Sequence, residues 1–145
     1  MSDRPIRVTV SHRFAASPER VFDAWLDPAK ARRFLFATDA TSIVRAETDP
    51  RVGGRFVFVD RRAEGEMEHT GEYVEIDRPR RLVFTFCVPS ISPDHDLVTL
   101  DFAPDGEGCL LTLTTEMKPE WADWADRTRE GWAEILQGLE RGLVG

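Results

Sequence analysis

The side chains best suited to acid–base chemistry in this sequence are its histidines and its one tyrosine. Histidine ionises near neutral pH without any shift of its pKa, so His12, His69 and His95 are the first candidates. In the segment GEMEHTGEY (65–73), Glu or Thr occupies every second position, which places His69 and Tyr73 on the opposite face of a strand. This alternation predicts that His69 and Tyr73 point into the interior, where they could act as an acid and a base.

A hydrogen-bonded interior histidine is the competing interpretation of His69, and the sequence favours it. Acid–base catalysis needs two groups of different pKa in one cleft, and only Tyr73 and Glu75 accompany His69 on the predicted inner face. No spacing of Ser, Cys and His marks a nucleophile. His12 shares the apolar face of its strand, and His95 is predicted to lie in an exposed loop. We therefore expect no catalytic residues, and the sequence favours a protein that is not an enzyme while leaving an enzyme as the alternative.

Phosphate and metal sites are not expected either. A phosphate-binding loop follows a strand and opens a helix, whereas Gly53 and Gly54 in DPRVGGRFVF (49–58) lead into the alternating segment 55–58. This pattern predicts a turn that enters a strand. In SPDHDL (92–97), carboxylates flank His95, but neighbouring side chains in a strand diverge and no fourth ligand is near. We expect no metal and no cofactor.

The composition of the chain limits the classes of partner that it is expected to bind. The chain of 145 residues predicts a single domain, 1–145, and its net charge of −7 disfavours nucleic acids and anionic membranes as partners. The sequence has no signal peptide and no run of about 18 or more apolar residues, so we expect a cytoplasmic protein. Cys87 and Cys109 lie in apolar strand-like segments, which favours buried free thiols over a disulfide.

The elements that must position these side chains follow from hydrophobic periodicity. A half-buried strand is predicted at 6–14, followed by a helix in SPERVFDAWL that Ser17 caps and a second short helix that begins at DPAKARRFL. Further strands are predicted at 41–46, 54–60, 66–77, 80–87, 96–103 and 108–116. The short connections between them indicate an antiparallel meander.

One long C-terminal helix is predicted to open at Pro119. At 100° per residue its apolar stripe contains Trp121, Trp124, Ala125, Thr128, Trp132, Ile135, Leu136, Leu139 and Leu143. Gly131, Gly138 and Gly142 flank this stripe, which indicates a close approach of another backbone or side chain. The approaching group is either the protein's own sheet or a second copy in a homodimer.

Five segments together resemble a known family. The segments are SPERVFDAWLDPAKARRF, DPRVGGRFVF, GEYVEIDRPRRLVFTF, DLVTLDFAPDGEGCLLTLTTEM and GWAEIL, in this order. They resemble the Activator of Hsp90 ATPase homologue 1-like family of the START-like, or SRPBCC, superfamily. The resemblance implies an α+β helix-grip fold, in which a curved antiparallel sheet of about six to seven strands wraps around a long C-terminal helix.

The resemblance also implies a cavity between the sheet and this helix, lined by residues of the predicted inner faces. The apolar lining candidates are Trp25, Phe56, Phe58, Met67, Phe84, Phe86, Val98, Leu100, Leu113, Trp124 and Trp132. The polar ones are His69, Tyr73, Thr115 and Thr128. Thr115 ends the segment LTLTT at a position where many relatives resemble LTLTH, which weakens any mechanism taken over from them.

Three functions are compatible with such a cavity. The first is the binding of a small apolar or aromatic molecule without catalysis, which the inner face favours. The second is an enzyme that resembles polyketide cyclases, aromatases or hydrolases and uses His69 or Tyr73. The third is an interaction module that resembles the Hsp90 co-chaperone domain.

Overall fold

The computed structural model describes residues 5–34, 42–63, 65–92 and 94–144. The helices are α1 (Pro18–Leu26), α2 (Pro28–Ala31), a 3₁₀ helix (Pro119–Trp124) and α3 (Ala125–Val144). The strands are β1 (Ile6–Phe14), β2 (Ser42–Thr48), β3 (Arg55–Arg62), β4 (Gly65–Asp77), β5 (Arg81–Phe86), β6 (Asp96–Asp105) and β7 (Gly108–Met117).

The strands form one antiparallel sheet with the order β1-β7-β6-β5-β4-β3-β2. Strands β2 to β7 follow one another as the predicted meander, while α1 and α2 carry the chain from β1 at one edge to β2 at the other. Helix α3 covers the inner face of the sheet, where its buried Trp132, Leu136 and Leu139 join the core. This arrangement confirms the α+β helix-grip fold.

Local signals set the start of both short helices. The Ser17 hydroxyl accepts a hydrogen bond from the Arg20 N–H at 3.3 Å, and Asp27 Oδ1 accepts one from the Ala29 N–H at 2.9 Å. Each cap is followed by a proline in the first turn. Helix α2 ends at Ala31, so it is shorter than the predicted segment 27–35, and the end of that segment lies outside the described residues.

The segment DPRVGG forms a turn, as predicted. Gly53 has a φ of +87°, which a side chain disfavours. A Cβ on Gly54 would overlap the backbone carbonyl oxygen of Asp49. The two glycines therefore let the chain turn tightly into β3, and their role is architectural.

The predicted long C-terminal helix is confirmed, but it begins at Ala125 and not at Pro119. Trp121 has non-helical backbone angles (φ −95°, ψ 16°), so a 3₁₀ helix precedes α3. The Trp121 Nε1–H donates a hydrogen bond to Asp94 Oδ2 at 3.0 Å, which ties this segment to the loop before β6. Trp124 consequently leaves the buried stripe: it is 46% exposed, and the Arg127 guanidinium lies 5.0 Å from its ring centroid.

Close approach to the glycine flank of α3 is seen at only one of the three positions within the described residues. A Cβ on Gly138 would lie 3.4 Å from Phe34 Cβ, whereas one on Gly131 or Gly142 would have no atom within 4 Å. The neighbour at Gly138 is thus the protein's own chain. A homodimer contact at the other two glycines stays a prediction.

The inner-face position of Glu75 was also a wrong prediction. The register of β4 against β5 shifts between Tyr73 and Glu75, because a β-bulge intervenes. The bulge turns Glu75 outward, where its carboxylate lies 3.5 Å from Arg81 Nε, and Ile76 packs against the core instead. His69 and Tyr73 precede the bulge and keep their inward orientation, with exposures of 6% and 3%.

Candidate functional site

The candidate site is a cleft where one end of the sheet meets the 3₁₀ helix and the start of α3. Its volume is about 270 Å³. On the sheet and loop side it is lined by Phe86, Cys87, Val88, Ile91, Ser92, Asp94, Asp96 and Met117. On the helical side it is lined by Trp121, Trp124 and Thr128. Most of this lining is apolar, and the carboxylates supply its charge.

Strand pairing brings Asp96 to the cleft. Asp96 begins β6 directly opposite Phe86, the last residue of β5. It is in phase with Val98 and Leu100, which are fully buried on the inner face. The Asp96 carboxylate thus lies on the inner face of the sheet, whose other side chains belong to the core. It is located where this face borders the cleft.

The two carboxylates of the cleft lie in different electrostatic environments. Asp94 accepts hydrogen bonds from Lys118 Nζ at 2.7 Å and from the Trp121 indole, and these bonds hold the pKa of its carboxyl below the usual range. Burial, with a smaller contribution from the Asp94 charge, raises the pKa of Asp96 to about 6. Within the described parts of the chain, no cation lies within ion-pair distance of Asp96.

His69 belongs to a second polar group, buried deeper in the sheet. Its Nδ1 lies 3.3 Å from the Phe58 carbonyl oxygen, to which it donates, and 3.6 Å from Asp60 Oδ1. Burial lowers the pKa of His69, which keeps the ring neutral at neutral pH. Asp60 is fully buried, and its Oδ2 accepts a hydrogen bond from Arg62 Nε at 2.6 Å. In the part of the chain that the structure describes, its Oδ1 has no hydrogen-bond partner.

Phe86 lies between this buried group and the cleft. The Phe86 ring centroid is 6.0 Å from that of His69, and the Phe86 side chain lines the cleft, whereas His69 does not. Tyr73 is equally interior, with its ring 5.6 Å from that of Phe56, and burial raises the pKa of its hydroxyl far above the neutral range. Neither candidate for acid–base chemistry borders the cleft in this conformation.

The residues predicted to line a cavity divide into three groups. Phe86, Trp124 and Thr128 line the cleft. Met67 is half-buried opposite Asp60 on β3. The others are buried in the interior: Trp25, Phe56, Phe58, His69, Tyr73, Phe84, Val98, Leu100, Leu113, Thr115 and Trp132.

Thr115 is the buried polar residue nearest the cleft along β7. It lies opposite Val98 on β6 and two positions before Met117, which lines the cleft. Its side chain is fully buried, and its Oγ1 has no hydrogen-bond partner among the described residues. An unpaired hydroxyl is uncommon in a protein core, so a polar group of a ligand or a water molecule would be favoured there.

Sequence reasoning missed Asp60, Asp96 and Met117 as inner-face residues. The signal for the two aspartates was present, because Asp60 continues the alternation of Phe56 and Phe58. Asp96 likewise continues the alternation of the residues after it. In both cases a charged residue was assumed to be exposed, although position on the strand, not residue type, sets the face.

Similarity to known proteins agrees with this architecture. A family model described as Activator of Hsp90 ATPase homolog 1-like protein matches residues 15–143. A structure from Rhodobacter sphaeroides shares 25% identity with a TM-score of 0.84, covering 95% of this chain and 92% of that one. Protein CV1439 from Chromobacterium violaceum shares 23% identity with a TM-score of 0.82, covering 93% of this chain and 94% of that one.

An AHSA1-like protein from Aeromonas hydrophila, solved by NMR, is similar at 23% identity and a TM-score of 0.81, with 95% of this chain and 92% of that one covered. No curated protein matches the chain. The described helices include none that is long and apolar enough to span a membrane. In the same residues, no three His, Cys, Asp or Glu side chains are grouped as metal ligands. Because the family model spans most of its length, the chain belongs to the Activator of Hsp90 ATPase homolog 1-like family.

Proposed function

We propose that the protein binds a small apolar or aromatic molecule in the cleft between the sheet and its C-terminal helical segment. The cleft volume of about 270 Å³ lies just below the range of about 300–1,000 Å³ that is common for small-molecule sites. Such sites combine mostly apolar walls with a few polar groups. The lining of this cleft has that composition.

The observation that carries this proposal is the aromatic surface that borders the cleft. Trp124 lines it and yet remains 46% exposed, and Ile91 on the opposite loop is 65% exposed. Large apolar side chains that converge on a concave surface favour occupation by an apolar molecule, because binding removes their surface from water. Trp121 is held in place by its hydrogen bond to Asp94, so one wall of the cleft is preorganised.

The proposal is tested by titrating a panel of aromatic and aliphatic molecules while tryptophan fluorescence is recorded, with calorimetry as an independent readout. Trp121 and Trp124 both report from the cleft. We expect saturable binding that Trp124→Ala weakens at least fivefold. This substitution should leave the fold intact, because nearly half of the side chain is exposed and it lies outside the buried core.

Arg127→Ala is the matched control. It removes the cation–π contact with the Trp124 ring without removing a wall of the cleft. If this variant weakens binding as much as Trp124→Ala does, the aromatic wall is not what the ligand contacts. A panel without any saturable response would contradict the proposal itself.

A second candidate, an acid–base enzyme, has one observation in its favour: His69 Nδ1 lies 3.6 Å from Asp60 Oδ1. For this chemistry Phe86 would have to move aside to admit a substrate. The test is His69→Gln, which should abolish turnover and leave ligand affinity unchanged. Full turnover by this variant would exclude His69 as the acid or base.

A further inference from the structure

We propose that the ligand of this cleft is an apolar molecule that carries a protonated amine, and that the ammonium group pairs with the Asp96 carboxylate. This inference rests on the proposed function and adds the chemical class of the ligand. It follows from the position of Asp96, from the surroundings of the neighbouring carboxylate and from the aromatic rings of the cleft.

The first step is that Asp96 has no counter-ion among the residues that the structure describes. Lys118 reaches the cleft lining, where its Nζ is bound to Asp94 Oδ1 at 2.7 Å. The other oxygen of Asp94 accepts from Trp121. Asp94 therefore has its partners within the protein, whereas Asp96, in the part of the chain that the structure describes, has no ion pair and no side-chain hydrogen bond.

The second step concerns the free-energy cost of ionising the Asp96 carboxyl group. Burial raises the pKa of Asp96 to about 6, so at neutral pH the charged carboxylate is held in an unfavourable environment. A ligand cation within a few ångströms would offset that cost, because an opposite charge favours the ionised form. An anionic ligand would instead meet two carboxylates at once.

The third step concerns the aromatic side chains that line the cleft. The rings of Phe86, Trp121 and Trp124 all border the cleft, and tryptophan rings attract ammonium groups through their electron-rich faces. Arg127 already uses one face of Trp124 in this way. The net charge of −7 further favours the approach of cations over anions.

The pH dependence of binding follows from the groups around Asp96. They are Asp94 and His95 of the preceding loop, the Cys87 thiol directly after β5 and Lys118 before the 3₁₀ helix. Burial raises the pKa of Cys87, so its thiol stays neutral between pH 5 and 7.5. A variant of Asp96 is therefore needed to assign the pH dependence of binding to this carboxylate.

The experiment compares 2-phenylethylamine with its neutral analogue 2-phenylethanol by calorimetry at pH 5.0 and pH 7.5. With a pKa of about 6, the ionised fraction of Asp96 rises about tenfold between these values. We expect the amine to bind about tenfold more tightly at pH 7.5 than at pH 5.0. The alcohol should change less than twofold.

Asp96→Asn is the decisive variant. It should reduce the affinity for the amine at pH 7.5 at least tenfold, to that of the alcohol, and leave alcohol binding unchanged. Asp101→Asn is the control, because Asp101 lies on the same strand with a 54% exposed side chain that points away from the cleft. This control should bind both molecules as the unmodified protein does.

The outcomes separate the two proposals. If the alcohol binds as tightly as the amine, or if Asp96→Asn keeps the preference for the amine, the amine inference is wrong and small-molecule binding stands. If 3-phenylpropionate binds more tightly than the amine at pH 7.5, the sign of the ligand charge is wrong. If none of the three molecules binds, the amine inference and the proposed function both fail for aromatic ligands of this size.

Discussion

Replacing Asp96 with asparagine should stabilise the free protein at neutral pH, although it removes a native side chain. The raised pKa means that the folded state keeps the proton up to about pH 6, whereas the unfolded chain loses it near the ordinary aspartate pKa of 3.8. Between these values the folded state binds more protons than the unfolded state. The free energy of unfolding therefore falls as pH rises from about 4 to 6, and the loss persists above pH 6.

The magnitude follows from the size of the shift. From 3.8 to about 6 is roughly two pKa units, and each unit corresponds to about 1.4 kcal/mol, which sets a ceiling of about 3 kcal/mol. Asp96 is half-buried and borders an open cleft, so water reduces this value to about 1–2 kcal/mol. Asparagine has nearly the same shape and carries no charge, so the variant recovers that amount.

The assay is urea unfolding followed by tryptophan fluorescence, at pH values from 4 to 8, for the unmodified protein and Asp96→Asn. The difference between the two should be near zero at pH 4 and reach about 1–2 kcal/mol at pH 7. Asp101→Asn on the outer face should show no comparable change with pH. A difference that is zero at pH 7, or the same at pH 4 and pH 7, would refute the burial of an uncompensated charge at Asp96.

Three further substitutions test other features of the fold by the same urea-unfolding measurement. Gly54→Ala should lower the free energy of unfolding by at least about 2 kcal/mol. Its Cβ would overlap the Asp49 carbonyl oxygen, and both atoms belong to backbone that has little freedom to move apart. Gly131→Ala should gain up to about 1 kcal/mol, since open space surrounds that helical position; a loss there would reveal a contact that the single chain does not show. Thr115→Val should gain about 1 kcal/mol by removing an unpaired buried hydroxyl, and a loss instead would mean that Oγ1 has a bound partner.

Local sequence patterns were sufficient for most of the elements. The alternation at 6–14 gave β1 to the residue, and the Ser17 and Asp27 caps gave the starts of α1 and α2. The remaining strands differ from their predicted bounds by a few residues at most. These features depend on neighbours in the sequence, which is why they could be predicted without the fold.

Contacts between distant segments decided what the patterns missed. The bond between Trp121 and Asp94 joins residues 27 positions apart and accompanies the break that removes Trp124 from the helical stripe. The bulge that turns Glu75 outward is a property of the β4–β5 pairing and leaves no mark in the alternation of β4 alone. A contact with a distant segment can interrupt the regular geometry of a helix. The periodicity of the helix sequence does not show where this happens.

By itself, the sequence determined which side of most strands faces inward, because side chains alternate along a strand wherever no bulge interrupts it. It thereby placed His69, Thr115 and Phe86 on one common face. Only the tertiary structure decided how far along that face the helix extends, and so which inner residues become core and which border a cleft. That boundary lies at Phe86 and Asp96, where β5 ends and β6 begins beside the cleft, and the environment of the Asp96 carboxylate is a consequence of it.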